Sequence, residues 1–545
     1  MVEILELIVY KLGMENSKLT RDTLKNMPSD ALVEIILMLQ NNIEQLNRNV
    51  ELLTEQIKIS NQRKYGRSTE TAPTLFEQQE LDLIFNEVEK LCDSFDKVEE
   101  PVIDEVIRSK RGRKSKMDNL KKITNKREVL IELTEEELNN KYGTGKWKKL
   151  PYEIITKLEH HPEMFEVVTY KIGVYSKNDN QTIVRAERPL DLKPGSIVTP
   201  SLMAGIMFSK YVNAMPLYRY EKSLSLNDVF ISRQNMANWT ISVGLKYLEP
   251  FYNEMKKELI KGSIIHADET PFDVTKDGRK AGSHSYMWVY RSNSNDSSNP
   301  VILYDYQHTR KAEHPKNFLV DYNGVLVTDG YQVYHSLEKQ NPDKFKVAGC
   351  WVHLKRRFAT VTKATSAKGS IAEKAALMIS KIYHEDHSGA ALDDKKRLEH
   401  RQNKVKPLVD EFFVWVKEVK PTVAAQSETG KGLTYAINQE TFLRTFLENP
   451  LIPMDNNAAE IAIRPFTIGR KNWVLVDTPR GAKVSAIIYS LTETAKANNL
   501  KVYYYLKYLL EELPKYVNDL SYSIPEELMP WSKSLPQELF KELKK

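Results

Sequence analysis

Two apolar stretches, each ending in an aspartate, decide the predicted fold: GSIIHAD (residues 262–268) and NGVLVTD (residues 323–329). Both have the composition of buried β-strands. Around them, between residues 261 and 365, strand-like runs and helical patterns follow one another in the order β-β-β-α-β-α-β-α. Three meandering strands followed by alternating strands and helices predict a mixed sheet covered by helices. The predicted fold class is therefore α/β, mixed and multidomain.

The aspartates at the ends of these runs, Asp268 and Asp329, are candidate metal ligands. A carboxylate at the end of a buried strand is costly to desolvate unless it binds a cation. Two such strands in one sheet would bring both acids to one edge, where a divalent cation offsets their repulsion. Glu460, in DNNAAE (residues 455–460), is the third candidate, because Asp455 or Asn456 can cap a helix there. All-oxygen ligands of this kind suit Mg²⁺.

Each of these acids also has a simpler interpretation. Asp268 and Asp329 could cap strand ends, and Asp329-Gly330 is a favourable turn dipeptide. Glu460 could form an ordinary surface pair with Arg464, four residues on, in a helix that Pro465 is expected to end or kink. Three rival carboxylates remain open, namely Glu269, Asp273 and Asp305.

Positive charge is concentrated locally, although the net charge of the 545-residue chain is only +6. Residues 108–127 hold ten Lys and Arg against one acid, directly after an acidic stretch at residues 77–105. Such a run is typical of contact with nucleic-acid phosphates, or of a solvated linker that neighbouring acids neutralise. Further basic residues flank the candidate acids. The predicted DNA-binding residues are Arg111, Arg113, Lys114, Arg356, Arg357, Arg464, Arg470 and Lys471.

A heptad pattern near the N-terminus predicts a coiled coil over residues 32–57. Apolar residues recur there in alternating steps of four and three. The pattern favours pairing with a second copy of the chain, so a homo-oligomer is expected. The alternative is an intramolecular hairpin with a helix at residues 3–12 or 76–91. The repeating residues are Leu32, Ile36, Leu39, Ile43, Leu46, Val50, Leu53 and Ile57.

The composition excludes several classes of protein. Two cysteines cannot build a disulfide framework, and their scarcity fits a cytoplasmic protein. No apolar run is long enough to span a bilayer, and acids stand where a signal peptide carries Lys or Arg. His384 and His387 lack an evident third ligand, so a surface patch is expected rather than a zinc site. Helical patterns between residues 201 and 261 predict a structural layer, with a helix-turn-helix reader as the alternative.

The same motifs resemble those of the DDE transposases of the insertion sequence 66 type. HADETP (266–271) and TDGY (328–331) resemble the first two catalytic motifs, and DNNAAE through GRKNW (455–473) resembles the block that holds the catalytic Glu. The other matching motifs, in chain order, are PLYR (216–219), CWVHLKRRF (350–358), YSLTETAK (489–496) and LMPW (528–531).

This resemblance implies an RNase H-like catalytic core in which Asp268, Asp329 and Glu460 hold two Mg²⁺ or Mn²⁺ ions. It implies cleavage at the ends of a mobile element and joining of the freed 3′ ends to target DNA, with small accessory proteins as possible partners. The expected location is the cytoplasm, on the nucleoid. The family commonly carries a four-cysteine zinc module, but residues 100–200 contain no cysteine. A structural zinc is therefore not expected.

Taken together, the patterns divide the chain into eight segments. They are N-terminal helices with the coiled coil (1–75), an acidic then basic arm (76–128), a small β-containing module (129–195), a helical DNA-binding or structural layer (196–260), the first part of the core (261–365), a helical insertion (366–450), the last part of the core with Glu460 (451–500) and a helical tail (501–545).

Three alternatives to a transposase remain open at this point. A decayed or domesticated relative would bind DNA without catalysis. An RNase H-like nuclease or resolvase would cut nucleic acid without joining ends. A scaffold built on the coiled coil would leave the central acids unexplained.

Overall fold

The computed structural model describes residues 192–542 except 281, 295, 297, 298, 366–368 and 517–523. It also describes some positions of a helix within residues 28–59 and two short strands between residues 174 and 185. The strands β1 (Val174–Ser176) and β2 (Ile183–Arg185) pair antiparallel. They belong to a separate unit of the chain, Lys97–Arg188. No helix among the described residues is long and apolar enough to cross a membrane.

The N-terminal positions that are described are helical and expose their apolar side chains. The heptad residues from Ile36 to Ile57 are between 52% and 60% exposed. Ile59, just beyond them, is buried against the helices of the insertion described below. The heptad face is thus presented to solvent, while the end of the helix is anchored.

Among the residues described from 192 onward, four α-helices precede the sheet. They are α1 (Pro200–Met207), α2 (Leu217–Ser225), α3 (Arg233–Val243) and α4 (Glu249–Lys261). Ser232 caps α3, because its hydroxyl accepts a hydrogen bond from Asn235 N at 3.2 Å. Two π-helical segments, Phe208–Val212 and Gly244–Leu248, extend α1 and α3.

The central feature is a mixed sheet, as the sequence predicts, and it has six strands where the sequence predicts five. β3 (Ile264–Val274), β4 (His284–Ser292) and β5 (Ile302–Gln307) form an antiparallel meander. On the other side of β3, β6 (Gly324–Thr328) and β7 (Phe345–Gly349) run parallel to it. The spatial order is β5-β4-β3-β6-β7, and β8 (Leu475–Val476) pairs with the far end of β3.

The connections within the sheet are helical. They are α5 (Glu313–Phe318), α6 (Gln332–Gln340) and α7 (Trp351–Thr365). The resulting order of elements from β3 to α7 is the one that the sequence predicts. A first hydrophobic core joins the sheet to α1–α4 and to the C-terminal helices.

Four helices between β7 and the last part of the core form a second hydrophobic core with α7. At its centre, Arg401 is fully buried and pairs with Asp386, with Nε 2.7 Å from Oδ1. The helices are α8 (Ile371–Ser388), α9 (Asp394–His400) with a π-helical extension to Val405, α10 (Lys406–Val419) and α11 (Glu428–Arg444).

Three further α-helices follow among the described residues, α12 (Asn457–Trp473), α13 (Pro479–Ala497) and α14 (Val502–Tyr516). Of the two outcomes expected at Pro465, an end of the helix is wrong, because α12 continues eight residues beyond it. Proline removes one hydrogen-bond donor, and packing of the buried face against the sheet outweighs that loss. α12 packs on β3 and β4 through buried residues such as Ala459, Ala462 and Phe466.

Candidate active site

The sheet register brings Asp268 and Asp329 to the same edge. β3 pairs with β6 so that His266 stands opposite Val327, an offset of 61 positions. Asp268 and Asp329 are also 61 positions apart, and each lies two residues further along its strand direction. Neighbouring strands are about 4.8 Å apart. The two aspartates therefore lie side by side where β6 ends.

The carboxylate of Asp268 lies in a strongly negative environment. Burial raises its pKa well above the ordinary value, and the charges of Glu269, Asp329 and Glu460 raise it further. One bond acts in the opposite direction, because Glu269 N donates to Asp268 Oδ1 at 2.8 Å. The electrostatic coupling shows that all three predicted acids lie in one neighbourhood, on β3, after β6 and on α12.

Glu460 lies in the first turn of α12 and is half-buried. Arg356 Nη2 donates to its Oε2 at 3.1 Å, and His353 Nδ1 lies 3.6 Å from its Oε1. Arg356 and His353 both come from α7. The Glu460 carboxylate thus bonds a residue of α7, a contact that the simpler interpretation as a surface pair with Arg464 does not include.

A fourth carboxylate, Glu269, is held by a cation. Arg310 Nε donates to Glu269 Oε1 at 2.9 Å, and burial nevertheless raises the pKa of Glu269 to about 7. The Arg310 guanidinium also stacks on Tyr331, 3.9 Å from the ring centroid, and the Tyr331 hydroxyl donates to Arg310 O at 2.8 Å. Arg310 thus connects the residue after Asp268 to the loop that holds Asp329.

The other two rival carboxylates have partners elsewhere. Asp273, near the end of β3, is exposed and pairs with His284 at 2.8 Å. Asp305 accepts a hydrogen bond from Gln307 at 2.8 Å, and burial raises its pKa to about 6. The charges that act on Asp305 are those of Lys256 and Lys483, rather than those of the three candidate acids.

The predicted DNA-binding residues that the structure describes fall into two groups. On α7, Arg356 pairs with Glu460, and exposed Arg357 stacks on Tyr435 at 4.3 Å. On α12, Arg470 donates to Thr270 Oγ1 at 3.0 Å and to Pro271 O, which gives it a structural role.

The remaining DNA-binding predictions concern an exposed lysine, a half-buried arginine and the basic arm. Lys471 is exposed and, with Arg470, lines a cleft of about 420 Å³ at the far end of β3. Arg464 is half-buried on α12. Arg111, Arg113 and Lys114 lie outside the described residues.

Three residues near the acids were missed by the sequence reasoning as parts of the site. Arg310 contacts Glu269, which lies 41 positions away in the sequence. Asn456 contacts β3, about 190 positions away, and no local sequence pattern signals either contact. His353 stands in the CWVHLKRRF motif, and its position there was the available signal.

The donor set suits a hard divalent cation, since three carboxylates supply only oxygen ligands. Glu460 Oε1 is buried and accepts no hydrogen bond from the residues that the structure describes. Among those residues, no group of three or more His, Cys, Asp and Glu side chains is already arranged as a metal site. The carboxylates are thus gathered in one neighbourhood without forming a complete coordination shell.

The mixed sheet and the cluster of acids at its edge define an α/β protein. Comparison with known proteins is more specific. The Transposase IS66 family matches residues 195–484, its C-terminal element matches residues 490–531, and the Transposase C of IS166 homeodomain matches residues 52–124. The chain belongs to the IS66 family of transposases. DDE transposases of this family generally use divalent metal ions.

Two relatives from Sinorhizobium fredii resemble the chain over most of its length. Uncharacterized protein y4qI is 27% identical over 498 residues, which cover 89% of each chain. Uncharacterized protein y4hP is 24% identical over 406 residues, which cover 71% of this chain and 72% of the relative. The similarity therefore includes the N-terminal part and is not confined to the sheet.

Proposed function

We propose that the chain binds the ends of an insertion sequence, cuts the DNA there and joins the freed 3′ ends to target DNA. One observation carries the proposal. The charges of Asp329, at the end of the neighbouring strand, and of Glu460, on the helix packed on the sheet, both act on Asp268 and raise its pKa. A structural protein gains nothing from like charges gathered in this way, because their repulsion destabilises the fold.

The three carboxylates would hold two divalent ions, Mg²⁺ or Mn²⁺. When bound, such ions activate the attacking water or 3′-hydroxyl and stabilise the leaving oxygen. Asp268 and Asp329 are fixed by the register of β3 and β6, and Glu460 by α12. No side chain is assigned as a nucleophile, since hydrolysis and strand transfer both proceed without a covalent protein–DNA intermediate.

Cations on α7 and α12 are suited to hold the DNA backbone beside the acids. Arg357 and Lys471 are exposed, and Arg356 is about half-exposed while it bonds Glu460. Phosphate contacts of this kind position nucleic acid without reading its sequence. The basic stretch with Arg111, Arg113 and Lys114 would add further phosphate contacts.

The proposal includes an RNase H-like core. Its support is the topology, in which an antiparallel meander of three strands is continued by two parallel strands through helical connections. Residues 371–448 are helical and separate β7 from α12, which accounts for the long sequence distance between Asp329 and Glu460.

The proposal also includes a homo-oligomer through the heptad segment, since transposition must bring two DNA ends together. The exposed apolar face of that helix supports self-association. Isoleucine and valine alternate with leucine along this face, a pattern of parallel coiled coils. The proposed location is the cytoplasm, with small accessory proteins as further partners.

A strand-transfer assay tests the proposal. Purified protein, DNA carrying the element's ends, Mg²⁺ and a supercoiled target should yield joined products. Binding without cleavage would instead identify a decayed transposase that acts only as a DNA-binding protein. Cleavage of branched or hybrid substrates without joining would identify an RNase H-like nuclease or resolvase.

A further inference from the structure

Among the described residues, the edge of β3 that faces β6 is paired with other strands only at its two ends. β6 pairs with β3 at Ile264–His266, and β8 pairs with it at Asp273 and Val274. The intervening residues, 267–272, include Asp268 and have no strand on this side among the described residues. Their backbone groups need other partners, because an unpaired buried carbonyl costs free energy.

Side chains supply partners for two backbone carbonyls of this segment, whereas at the end paired with β6 the partner is a backbone amide. Ser263 O accepts a hydrogen bond from Val325 N of β6 at 2.8 Å. Further along the same edge, Ala267 O accepts from Asn456 Nδ2 at 2.9 Å, and Pro271 O accepts from Arg470. These three carbonyls belong to odd-numbered residues, as expected for groups that point to one side of a strand.

Asn456 is the donor beside the candidate metal ligands, and it is fully buried. Its Oδ1 lies 3.0 Å from His266 Nδ1. The side-chain amide therefore contacts two successive residues of β3, His266 and Ala267, immediately before Asp268. Its backbone N donates to Cys350 Sγ at 3.2 Å, at the start of the segment that carries His353 and Arg356.

The same residue controls the start of α12. Asn456 is the N-cap, and its carbonyl accepts hydrogen bonds from Ala459 N at 3.0 Å and from Glu460 N at 3.2 Å. Its side chain makes no capping bond within the helix, unlike the usual role of asparagine at this position. The side chain bonds β3 instead, so one residue connects the backbone beside Asp268 to the amide of Glu460.

We propose that Asn456 is a positioning residue, which sets the separation between the Asp268 and Glu460 carboxylates and thereby the affinity of the site for divalent metal. The inference rests on the proposed function of the three carboxylates. Asn456 is not a ligand in this account, since both polar atoms of its side chain are occupied by β3. Its effect is transmitted through the backbone positions of Asp268 and Glu460.

The test uses the full-length chain and compares Asn456→Ala with Asn457→Ala, a matched change at the next residue, which is half-buried. Mn²⁺ affinity is measured by calorimetry without DNA, together with the melting temperature and DNA affinity. N456A should lower the Mn²⁺ affinity at least tenfold, leave DNA affinity within about twofold, and recover part of its cleavage rate at saturating Mn²⁺. N457A should match the wild type in all of these properties.

A variant that keeps a small polar group at this position controls for loss of Mn²⁺ affinity through unfolding. Asn456→Ser retains a hydroxyl donor and a good N-cap residue, so it should fold and show an intermediate loss of Mn²⁺ affinity. Wild-type Mn²⁺ affinity in folded N456A or N456S overturns the proposal, even where the melting temperature falls.

The outcome for Asp268→Asn separates this inference from the proposed function. Loss of Mn²⁺ binding in D268N but not in N456A or N456S would reject the positioning role alone. Equal Mn²⁺ binding by wild type and D268N would reject the metal site itself.

Discussion

Two clusters of buried charge in the described part of the chain have different surroundings. In the helical insertion, the fully buried Arg401 pairs with Asp386 through Nε and Nη2, and its Nη1 donates to three carbonyl acceptors. These acceptors are Phe446 O, Asn449 O and Ile452 O, at 2.7–2.9 Å. At the edge of the sheet, Asp268 has further acids as neighbours, and they raise its pKa.

The difference separates a structural use of charge from the functional use that we propose for the acids. The Arg401 cluster is balanced within the protein, so removing one partner leaves an unpaired buried charge. The acids around Asp268 carry an excess of negative charge, which their nearest cations, Arg310 and Arg356, only partly offset. Such an excess favours binding of a cation from outside the chain. Substitutions should therefore affect stability at the first cluster and activity at the second.

The largest expected effect is that of Asp268→Asn on activity. Mg²⁺-dependent DNA cleavage should fall roughly 10³-fold or more, about 4 kcal/mol in activation free energy. The free energy of unfolding at pH 7 should stay the same or rise. The folded-state pKa of Asp268 is raised, so its ionised form destabilises the fold, and asparagine removes that charge.

Asp273→Asn is the control for this experiment. It makes the same chemical change on the same strand, at an exposed residue paired with His284, and it should leave cleavage unchanged. Asp329→Asn and Glu460→Gln should behave like D268N. Wild-type cleavage in any of these three variants would remove that residue from the site.

The second effect, on stability, should come from Arg401→Met. It leaves Asp386 and three carbonyls without their donor. Denaturant unfolding should show a loss of about 3–5 kcal/mol. Lys396→Met, at an exposed pair with Asp393, is the control and should leave the free energy of unfolding nearly unchanged. A small effect of R401M would mean that the buried charge is not structural.

The sequence predicted more of the sheet than of its surroundings. Local apolar runs and their order define the strands, and the aspartates that end two of those strands are visible in the same runs. The carbonyl partners of Arg401 could not be predicted, because they lie about 45 to 51 residues away in the sequence. The continuation of α12 beyond Pro465 was not predicted for a related reason. Packing of the helix on the sheet outweighed the helix-breaking tendency of the proline.

The residues of the candidate site also divide into those that local sequence indicates and those that depend on distant contacts. The three acids were predicted from residue type and position together with the resemblance, whereas Asn456 and Arg310 act through contacts that exist only in the folded chain. Sequence patterns identify groups that perform chemistry more readily than groups that position them. The predicted coiled coil and basic arm remain predictions.

The third expected effect extends the comparison to an excess of positive charge. Arg111, Arg113 and Lys114 lie in a stretch with ten basic residues and one acid, so they should bind an external anion as the acids bind a cation. Neutralising all three should weaken DNA binding about tenfold or more at low salt. The slope of log affinity against log salt should become less steep by roughly one unit for each DNA phosphate that the variant no longer neutralises.

An unchanged salt slope would make this stretch a linker. Neutralising Lys257, Lys261 and Lys396, which are exposed and each paired with an acid, provides a control with the same change in net charge. That control should leave the slope unaltered.

The smallest effect should come from Arg310→Met. It removes the cation that holds Glu269 and that stacks on Tyr331, so the two aspartates lose a shared support. We expect a loss of about three- to tenfold in cleavage, with Arg310→Lys retaining part of the activity through its charge. Cleavage at the wild-type rate in R310M would show that the strand register alone fixes the two aspartates.

The most direct test of the metal site is iron-directed cleavage of the protein. Fe²⁺ replaces Mg²⁺ at an oxygen site, and with ascorbate and peroxide it cuts the polypeptide next to the bound ion. The account predicts fragments that end near Asp268, Asp329 and Glu460, and their loss when excess Mg²⁺ competes. Cuts confined to other carboxylates, such as Asp305 or the residues around His384 and His387, would contradict it.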